Sequence, residues 1–480
     1  MVHQDTLDIV VLGASFAGLS VAHNLLRNVF PYLQTFDGAP KYRVVLVSPS
    51  SHLYWNIAAP RALVSAELVP FDQMFSPVIK GFENYSPEEF LFAQGTAGLI
   101  DTAQRKVSIT LPVKPNMEDT GYHEPIVSTT TEKITTKTKD SRTKSLIYHA
   151  LIIATGSSTD SPLLSLHGAH ENTLAALKDF HKRLRNADSI VIVGGGASGV
   201  ETAGQLAAYF NGTPSKPVLA LLGLRNKAVD LPARKPKAIT LVSGHDRLLP
   251  KLAPKFGLEA EAKLRRNNVH VLHNVRMVAA TEAAAAATAT GQKMACCHLS
   301  NETTMAADLF VACTGVKPNT SFLPSALVDA AGYVETHPST LRAEQAGPRV
   351  YAVGDCAAYS RKRTADVYDA VPVLLHNLRN DLLLHNLRND LLAHELRLQY
   401  PPAGEGTGLQ DRLEQLVDKH FSPNPDGALL LPCTKWGGVG TLFNFRVPGA
   451  LVYLLKGRDY RVGKAKGVVE RGNNPYGMAE

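Results

Sequence analysis

Two glycine-rich turns, far apart in the chain, each follow a run of apolar residues and precede a helical pattern. In the first, Ile9–Leu12 predict a buried strand, and Gly13 permits a tight turn. Gly18 then opens a helix over Leu19–Leu26, whose first backbone N–H groups would face a pyrophosphate. Because Ser15 stands at the middle position of G-x-G-x-x-G, this stretch alone also fits an ordinary strand–turn–helix unit.

The second turn carries the complete fingerprint. A strand is predicted over Ser189–Val193, and a helix over Val200–Phe210. Between them, Gly194, Gly196 and Gly199 fill all three glycine positions. This order of strand, glycine turn and helix predicts a dinucleotide-binding site.

The strand that follows the second turn bears on the choice of dinucleotide. Ala238–Val242 are followed by Ser243, without the acidic residue that binds a ribose 2′-hydroxyl in many such folds. This weakens any preference for NADH over NADPH. Arg247 either contacts a 2′-phosphate or is an ordinary surface charge, and both interpretations stay open.

Three more apolar strands end in turns that could border a ligand. Leu151–Ile153 lead into Ala154-Thr155-Gly156, and Asp308–Ala312 lead into a similar turn that ends at Gly315. Arg349–Val353 are followed by Gly354 and Asp355, which places a carboxylate at the carboxyl end of a strand. Ligands of open α/β sheets bind at those ends.

Composition limits the remaining possibilities. A chain of 480 residues predicts two or three domains, and a net charge of +7 is modest for that length, so no nucleic-acid partner is expected. The five cysteines lack zinc or disulfide spacing, which predicts a reducing, cytoplasmic compartment and no metal site. No apolar run approaches the roughly 18 residues of a membrane span, and the sequence predicts neither a signal peptide nor N-myristoylation.

Several segments are predicted to be loops or linkers from their composition: Val113–Lys144, Asn211–Lys237, Ala279–Thr290 and Pro401–Gly408. The nine residues Leu375–Leu383 are repeated as Leu384–Leu392, which predicts one long helix with a local duplication.

Nearer the first turn, Tyr54 and Trp55 either flank a planar ring or pack in the core. Ser48 follows the second predicted strand, Tyr42–Val47. Its hydroxyl could hydrogen-bond a ribose, although more weakly than the carboxylate of an acidic residue would.

The order of these motifs resembles the two-dinucleotide-domain flavoproteins, a superfamily that includes glutathione reductase. Within it, Asn56, Ala58, Ala59 and Arg61 and the stretches 194–201 and 350–357 are similar to the apoptosis-inducing-factor-like branch and its ferroptosis-suppressor-protein-1-like members. The resemblance implies FAD at Gly13, Ala14, Ser15, Phe16, Ala17, Gly18, Ser48, Arg61, Ala154, Thr155, Gly156, Gly354 and Asp355. It implies NADH or NADPH at Gly194, Gly196, Gly199, Glu201, Arg247 and Gly315.

The resemblance also implies the architecture: an α/β fold with two Rossmann-like domains and a C-terminal α+β domain. The expected boundaries are 1–185 and 310–372 for the FAD-binding domain, 186–309 for the NAD(P)H-binding domain and 373–480 for the C-terminal domain. Disulfide reductases of this superfamily carry a C-x-x-x-x-C pair in the FAD domain, whereas the first cysteine here is Cys296. Electrons would therefore pass from flavin to a diffusible acceptor, a quinone or oxygen.

Three functions remain open: an NAD(P)H:quinone oxidoreductase, a flavin oxidase or dehydrogenase that tailors a small metabolite, and a redox-sensing interaction protein. The apolar segment Trp436–Leu455 is expected either to fold back beside the flavin or a homodimer interface, or to contact a membrane or lipid-droplet surface peripherally. In the second case Lys456 and the basic residues after it would face anionic lipid.

Overall fold

The computed structural model describes residues 6–36, 38–112, 142–212, 234–282, 295–397, 416–424, 429–442 and 445–477. The predicted linker Pro401–Gly408 lies outside these residues, as do most of the three predicted loops. The described ends of two loops correct the prediction, because Thr143–Ile147 and Met277–Glu282 are strands.

The strands in chain order are β1 (Leu7–Leu12), β2 (Tyr42–Ser48), β3 (His52–Tyr54), β4 (Phe75–Pro77), β5 (Phe90–Gln94), β6 (Thr96–Asp101), β7 (Lys106–Thr110), β8 (Thr143–Ile147), β9 (Ala150–Ile153), β10 (Ser157–Ser158), β11 (Ser189–Val193), β12 (Ala238–Val242), β13 (Val269–Leu272), β14 (Met277–Glu282), β15 (Ala295–Leu299), β16 (Thr304–Ala307), β17 (Leu309–Ala312), β18 (Lys317–Pro318), β19 (Val350–Ala352), β20 (Leu429–Thr434), β21 (Gly437–Leu442) and β22 (Phe445–Arg446). The α-helices are α1 (Phe16–Asn24), α2 (Phe30–Leu33), α3 (Ala59–Ala62), α4 (Phe71–Met74), α5 (His170–Asn186), α6 (Ala197–Phe210), α7 (Pro254–Arg266), α8 (Thr364–Arg397), α9 (Gly449–Val452) and α10 (Ala465–Arg471). Single π turns span Leu25–Val29 and Tyr453–Gly457, and 3₁₀ turns span Asn56–Ala58, Val78–Gly81, Ser325–Leu327, Glu344–Ala346 and Val462–Lys464.

The first sheet is parallel, with the strand order β19-β9-β1-β2-β5. Its central strands are fully buried, as their continuous apolar runs predict, because both faces of the sheet are covered. The register pairs Leu12 with both Val47 and Ile153, so the carboxyl ends of β1, β2 and β9 lie at one edge. The turns that follow these strands therefore meet there.

The second sheet repeats this arrangement with the order β13-β12-β11-β17, again all parallel. Helix α6 follows β11 as α1 follows β1. An antiparallel sheet, β14-β15-β16, packs against it through Cys297 and Leu299, which contact the cluster that contains Val191 and Val193. The predicted α/β fold with two Rossmann-like units is confirmed.

The residues after β19 join the two units. Helix α8 is continuous across both copies of the repeat, as predicted, and it buries Leu378 and Leu382 in the core. Strands β20–β22 form an antiparallel sheet against α6, where the side chain of Gln205 donates a hydrogen bond to the carbonyl of Pro432. Helix α10 returns to α1, and the His23 ring lies 2.7 Å from the carbonyl oxygen of Val469.

Candidate nucleotide-binding sites

A cleft of about 630 Å³ opens at the carboxyl ends of the first sheet. Its walls are the turns after β1, β2, β9 and β19, which the parallel register brings together. Of the predicted FAD residues, those that line it are Gly13, Ala14, Ser15, Phe16, Ala17, Ser48, Ala154, Thr155, Gly156, Gly354 and Asp355. The cleft volume suits a ligand of cofactor size.

The turn after β1 requires glycine at two positions. Gly13 has a φ of +112°, and a Cβ there would overlap the carbonyl oxygen of Ala154 on the neighbouring strand. A Cβ on Gly18 would overlap the carbonyl oxygen of Gly13, so α1 packs directly on the turn. Gly18 itself does not line the cleft; it sets the distance between helix and strand.

The start of α1 is free to bind an anion. Ser15 is the N-cap residue, but its side chain makes no capping hydrogen bond, and the first turn contains no acidic residue. The first N–H groups of a helix lack intrahelical partners and carry the positive end of the helix dipole. A pyrophosphate fits these groups, and serine at the middle position of the motif leaves the turn intact.

Asp355 supplies a carboxylate to the wall of the cleft. It follows Gly354, whose φ of +83° turns the chain sharply after β19. The Ser157 hydroxyl donates a hydrogen bond of 3.0 Å to Asp355 Oδ2, and burial raises the pKa of this carboxyl group above its usual value. A half-buried acceptor at this position fits the hydroxyls of a ribityl chain.

Many residues that line the cleft were not predicted as site residues from the sequence, and three of them are polar side chains beside the predicted ones. Asn319 donates through its side-chain amide to the carbonyl of Thr155 at 2.9 Å and so fixes the turn after β9. Lys362 also lines the cleft, with its Nζ 2.9 Å from the carbonyl of Ala357 and a left-handed backbone at φ +63°. Asn56 lies beside Tyr54 on the wall. Asn56 was signalled only as one of the residues that carry the family resemblance, and Lys362 only by its closeness to Asp355 in the chain.

Tyr54 and Trp55 have different positions. Tyr54 lines the cleft, and its hydroxyl donates to the carbonyl of Leu163 at 2.8 Å. Trp55 is fully buried, and its indole N–H donates to the carbonyl of Tyr460 at 2.9 Å. For Trp55 the core-packing interpretation is therefore correct.

Arg61, predicted to bind FAD, does not line the cleft. Its Nε donates to the Gln205 side chain at 2.9 Å, its Nη1 donates to the carbonyl of Arg458 at 3.2 Å, and its guanidinium lies 4.4 Å from the centre of the Tyr460 ring. Arg61 thus joins the first unit to α6 and to the C-terminal segment, and its contact with FAD stays a prediction.

The second glycine turn has the geometry of the first. Gly194 has a φ of +122°, and a Cβ on Gly199 would overlap the Gly194 carbonyl oxygen. Gly196 is different, because no atom of the described residues lies within 4 Å of a Cβ built there. Helix α6 has no acidic residue in its first turn, so its N–H groups can bind a second pyrophosphate beside Gly196.

The other residues predicted for NAD(P)H are spread out. Gly315 follows β17 with a φ of +75°, and a Cβ there would overlap the carboxylate of Asp160. One guanidinium nitrogen of Arg247 donates a hydrogen bond of 3.1 Å to the carbonyl of Pro250, which lies in the same loop. Glu201 is buried on α6 and forms an ion pair of 2.7 Å with Lys456. Lys456 therefore does not face lipid, which corrects that expectation.

The Glu201–Lys456 pair is a strong constraint between α6 and the C-terminal segment. Burial lowers the pKa of Lys456, but the Glu201 carboxylate more than offsets this, and the net shift is upward. Removing one partner leaves an uncompensated buried charge, a change that destabilises proteins by about 3–5 kcal/mol.

We expect Lys456→Met to lower the free energy of unfolding by about that 3–5 kcal/mol. We expect the double variant Glu201→Gln/Lys456→Met to recover part of the loss, because it leaves no unpaired charge. Urea unfolding followed by circular dichroism measures both. Lys466→Met is the matched control, since Lys466 is largely exposed and its pair with Glu470 is 3.8 Å long; we expect a change within about 0.5 kcal/mol. Equal destabilisation by both lysine variants would contradict the assignment.

The C-terminal segment Trp436–Leu455 folds back onto the second unit. Val439, Val447 and Val452 are buried, whereas Phe445 and Leu454 are exposed. None of its described residues lines the cleft, and its packing beside the flavin stays a prediction. No helix in the described part of the chain has the length and apolar character needed to cross a bilayer. Peripheral membrane contact and a homodimer stay predictions.

Comparisons with known proteins agree with this geometry. The sequence profile described as "Pyridine nucleotide-disulphide oxidoreductase" matches residues 7–373. Oxidoreductase phnG of Penicillium herquei is 32% identical over 461 residues, which cover 96% of this chain and 95% of that protein. Oxidoreductase ptaL of Pestalotiopsis fici is 30% identical over 348 residues, 72% of this chain and 76% of that protein. The crystal structure of the sulfide:quinone oxidoreductase of Aquifex aeolicus has a TM-score of 0.57 at 14% identity, covers 97% of this chain and 92% of its own, and so shares the fold.

Proposed function

Because the chain belongs to the pyridine nucleotide-disulphide oxidoreductase family, we propose that it is an FAD-dependent oxidoreductase that oxidises NAD(P)H and reduces a diffusible quinone. The balanced reaction converts NAD(P)H, a proton and a quinone into NAD(P)⁺ and a hydroquinone. The family supports the flavin and the nicotinamide nucleotide as its cofactors. The choice of a quinone is our proposal.

The chain's own residues account for cofactor binding. The N–H groups at the start of α1 bind the FAD pyrophosphate, and Asp355 accepts hydrogen bonds from the ribityl hydroxyls. The N–H groups at the start of α6 bind the pyrophosphate of NAD(P)H next to Gly196. Bound FAD supplies the two-electron redox chemistry, and the protein positions the donor and the acceptor.

The observation that carries the proposal is the placement of the cysteines. All five belong to the described residues and are unpaired, and none of them lines the cleft. The closest in sequence to a cleft residue is Cys356, whose thiol is fully buried behind Asp355, and burial raises its pKa. A dithiol relay to a sulfur substrate therefore has no place here, and the acceptor must reach the cleft itself.

Anaerobic stopped-flow absorbance tests the proposal. We expect NAD(P)H to bleach the flavin band near 450 nm, and a panel of benzoquinones and naphthoquinones to restore it faster than oxygen does. The variant with all five cysteines replaced by serine or alanine should keep this activity once its folding is verified. Reoxidation by disulfides alone, or loss of quinone reduction in the folded cysteine-free variant, would contradict the proposal.

Two other functions make different predictions in the same assay. A metabolite-tailoring enzyme, which the two fungal relatives favour, would consume NAD(P)H quickly only when its own substrate is present. A redox-sensing interaction protein would be reduced once and then hold a long-lived charge-transfer complex with NAD(P)⁺.

We also propose that the chain lies in the apoptosis-inducing-factor-like branch, a placement that rests on Asn56, Ala58, Ala59 and Arg61.

A further inference from the structure

The carboxyl end of β12 lies next to the second glycine turn. Strands β11 and β12 are parallel neighbours, and their register pairs Val193 with Val242. A Cβ on Gly195 would overlap the Ser243 hydroxyl, and the Leu249 N–H donates to the Gly195 carbonyl at 2.8 Å. The segment after β12 therefore packs on the turn that binds the pyrophosphate, at the position that the adenosine ribose occupies in this fold.

Ser243 itself is turned inward. Its side chain is fully buried, and its hydroxyl accepts a hydrogen bond from the His245 N–H at 3.3 Å. It also lies within hydrogen-bond distance of the carbonyls of His245 and Arg247. The hydroxyl holds the loop together and cannot serve as the acceptor for a ribose 2′-hydroxyl.

A different arginine reaches the ribose position. Arg276 precedes β14, and its side chain crosses the backbone of Gly244: a Cβ on Gly244 would lie 2.8 Å from Arg276 Cγ and 3.1 Å from Nε. Arg276 is exposed, and the described residues give its guanidinium no hydrogen bond or ion pair, whereas Arg247 is held by Pro250. The guanidinium of Arg276, without a partner among the described residues, thus lies beside Gly244, two residues after the end of β12.

We infer that Arg276 binds the 2′-phosphate of NADPH and that the protein prefers NADPH to NADH. A phosphate monoester is the group that a planar guanidinium binds bidentately, and glycine at position 244 lets the arginine lie flat against the strand end. This inference rests on the proposed nicotinamide site and identifies which nucleotide that site takes.

Titration calorimetry of the FAD-loaded protein with NADP⁺ and with NAD⁺ tests the inference without turnover. We expect NADP⁺ to bind about 10- to 100-fold more tightly than NAD⁺, as for a charge-assisted pair, and we expect the difference to shrink with added salt. Arg276→Ala should remove most of the ratio, and Arg276→Lys should restore part of it. Arg265→Ala, which removes an exposed arginine paired with Glu261 on α7, is the matched control and should leave the ratio unchanged.

The outcomes separate this inference from the proposed function. Binding of neither nucleotide would contradict the nicotinamide site as a whole. Tight binding of both with equal affinity, or a ratio that Arg276→Ala leaves intact, would overturn only the role of Arg276. Loss of the ratio in Arg247→Ala would assign the phosphate to Arg247 instead. A preference for NAD⁺ that disappears in Asp246→Ala would assign the ribose to the exposed Asp246 carboxylate.

Discussion

Asp355→Ala is expected to purify largely without flavin, with FAD affinity at least about 100-fold below that of the unsubstituted protein. Asp355 is a half-buried carboxylate on the wall of the cleft that also contains the start of α1, and it accepts a hydrogen bond from the Ser157 hydroxyl. Each charge-assisted hydrogen bond contributes about 1.5–3 kcal/mol, and the ribityl chain offers several hydroxyls.

The ratio of absorbance at 450 nm to that at 280 nm measures flavin content, and titration of the stripped protein with FAD measures affinity. Asp355→Asn keeps the shape and an acceptor oxygen but loses the charge, so we expect an intermediate affinity. Asp179→Ala, an exposed acid on α5, is the control and should retain its flavin. Full flavin occupancy in Asp355→Ala would disprove the assignment of this residue to the FAD site.

Gly196→Val is expected to retain FAD while its anaerobic reduction by NADPH or NADH slows by at least about 100-fold. A 100-fold change in the rate corresponds to about 2.7 kcal/mol of free energy. The position is selective because a Cβ on Gly196 meets no described atom, whereas Cβ atoms on Gly195 and Gly199 would overlap the protein itself. Valine is therefore compatible with the fold but fills the space that the pyrophosphate needs.

Stopped-flow reduction over a range of NAD(P)H concentrations below saturation, together with calorimetric titration of NADP⁺, measures the effect. Dithionite should still reduce the flavin at the normal rate, which shows that the first site is intact. Gly196→Ala, with a smaller side chain, should be less affected. An unchanged rate of reduction by NAD(P)H in Gly196→Val would mean that the electron donor binds elsewhere.

Much of the fold could be predicted because its signals are local. The apolar runs before Gly13, Gly156, Gly194 and Gly354 are strands. The turns at Gly13, Gly156 and Gly354 meet at the cleft, as the parallel pattern predicts, and the turn at Gly194 lies in the second sheet. Even the serine at position 15 left the first turn predictable, because the geometry depends on Gly13 and Gly18.

The contacts that the sequence did not predict join residues far apart in the chain. Trp55 and Arg61 contact Tyr460 and Arg458, and Glu201 pairs with Lys456, which was expected to face lipid. Periodicity and spacing carry no information on such contacts. The same limit applies to Arg276, because its contact with Gly244 depends on how the loop before β14 returns to the end of β12.

The return of α10 to α1 has a consequence for how the protein is made. Strand β19 and Asp355 complete the first unit only after the whole second unit has been synthesised, and Val469 reaches His23 later still. A ribosome must therefore release most of the chain before the helix that binds the FAD pyrophosphate has all its neighbours. We therefore expect flavin capture to come after the second unit has been synthesised, so that this unit can fold first.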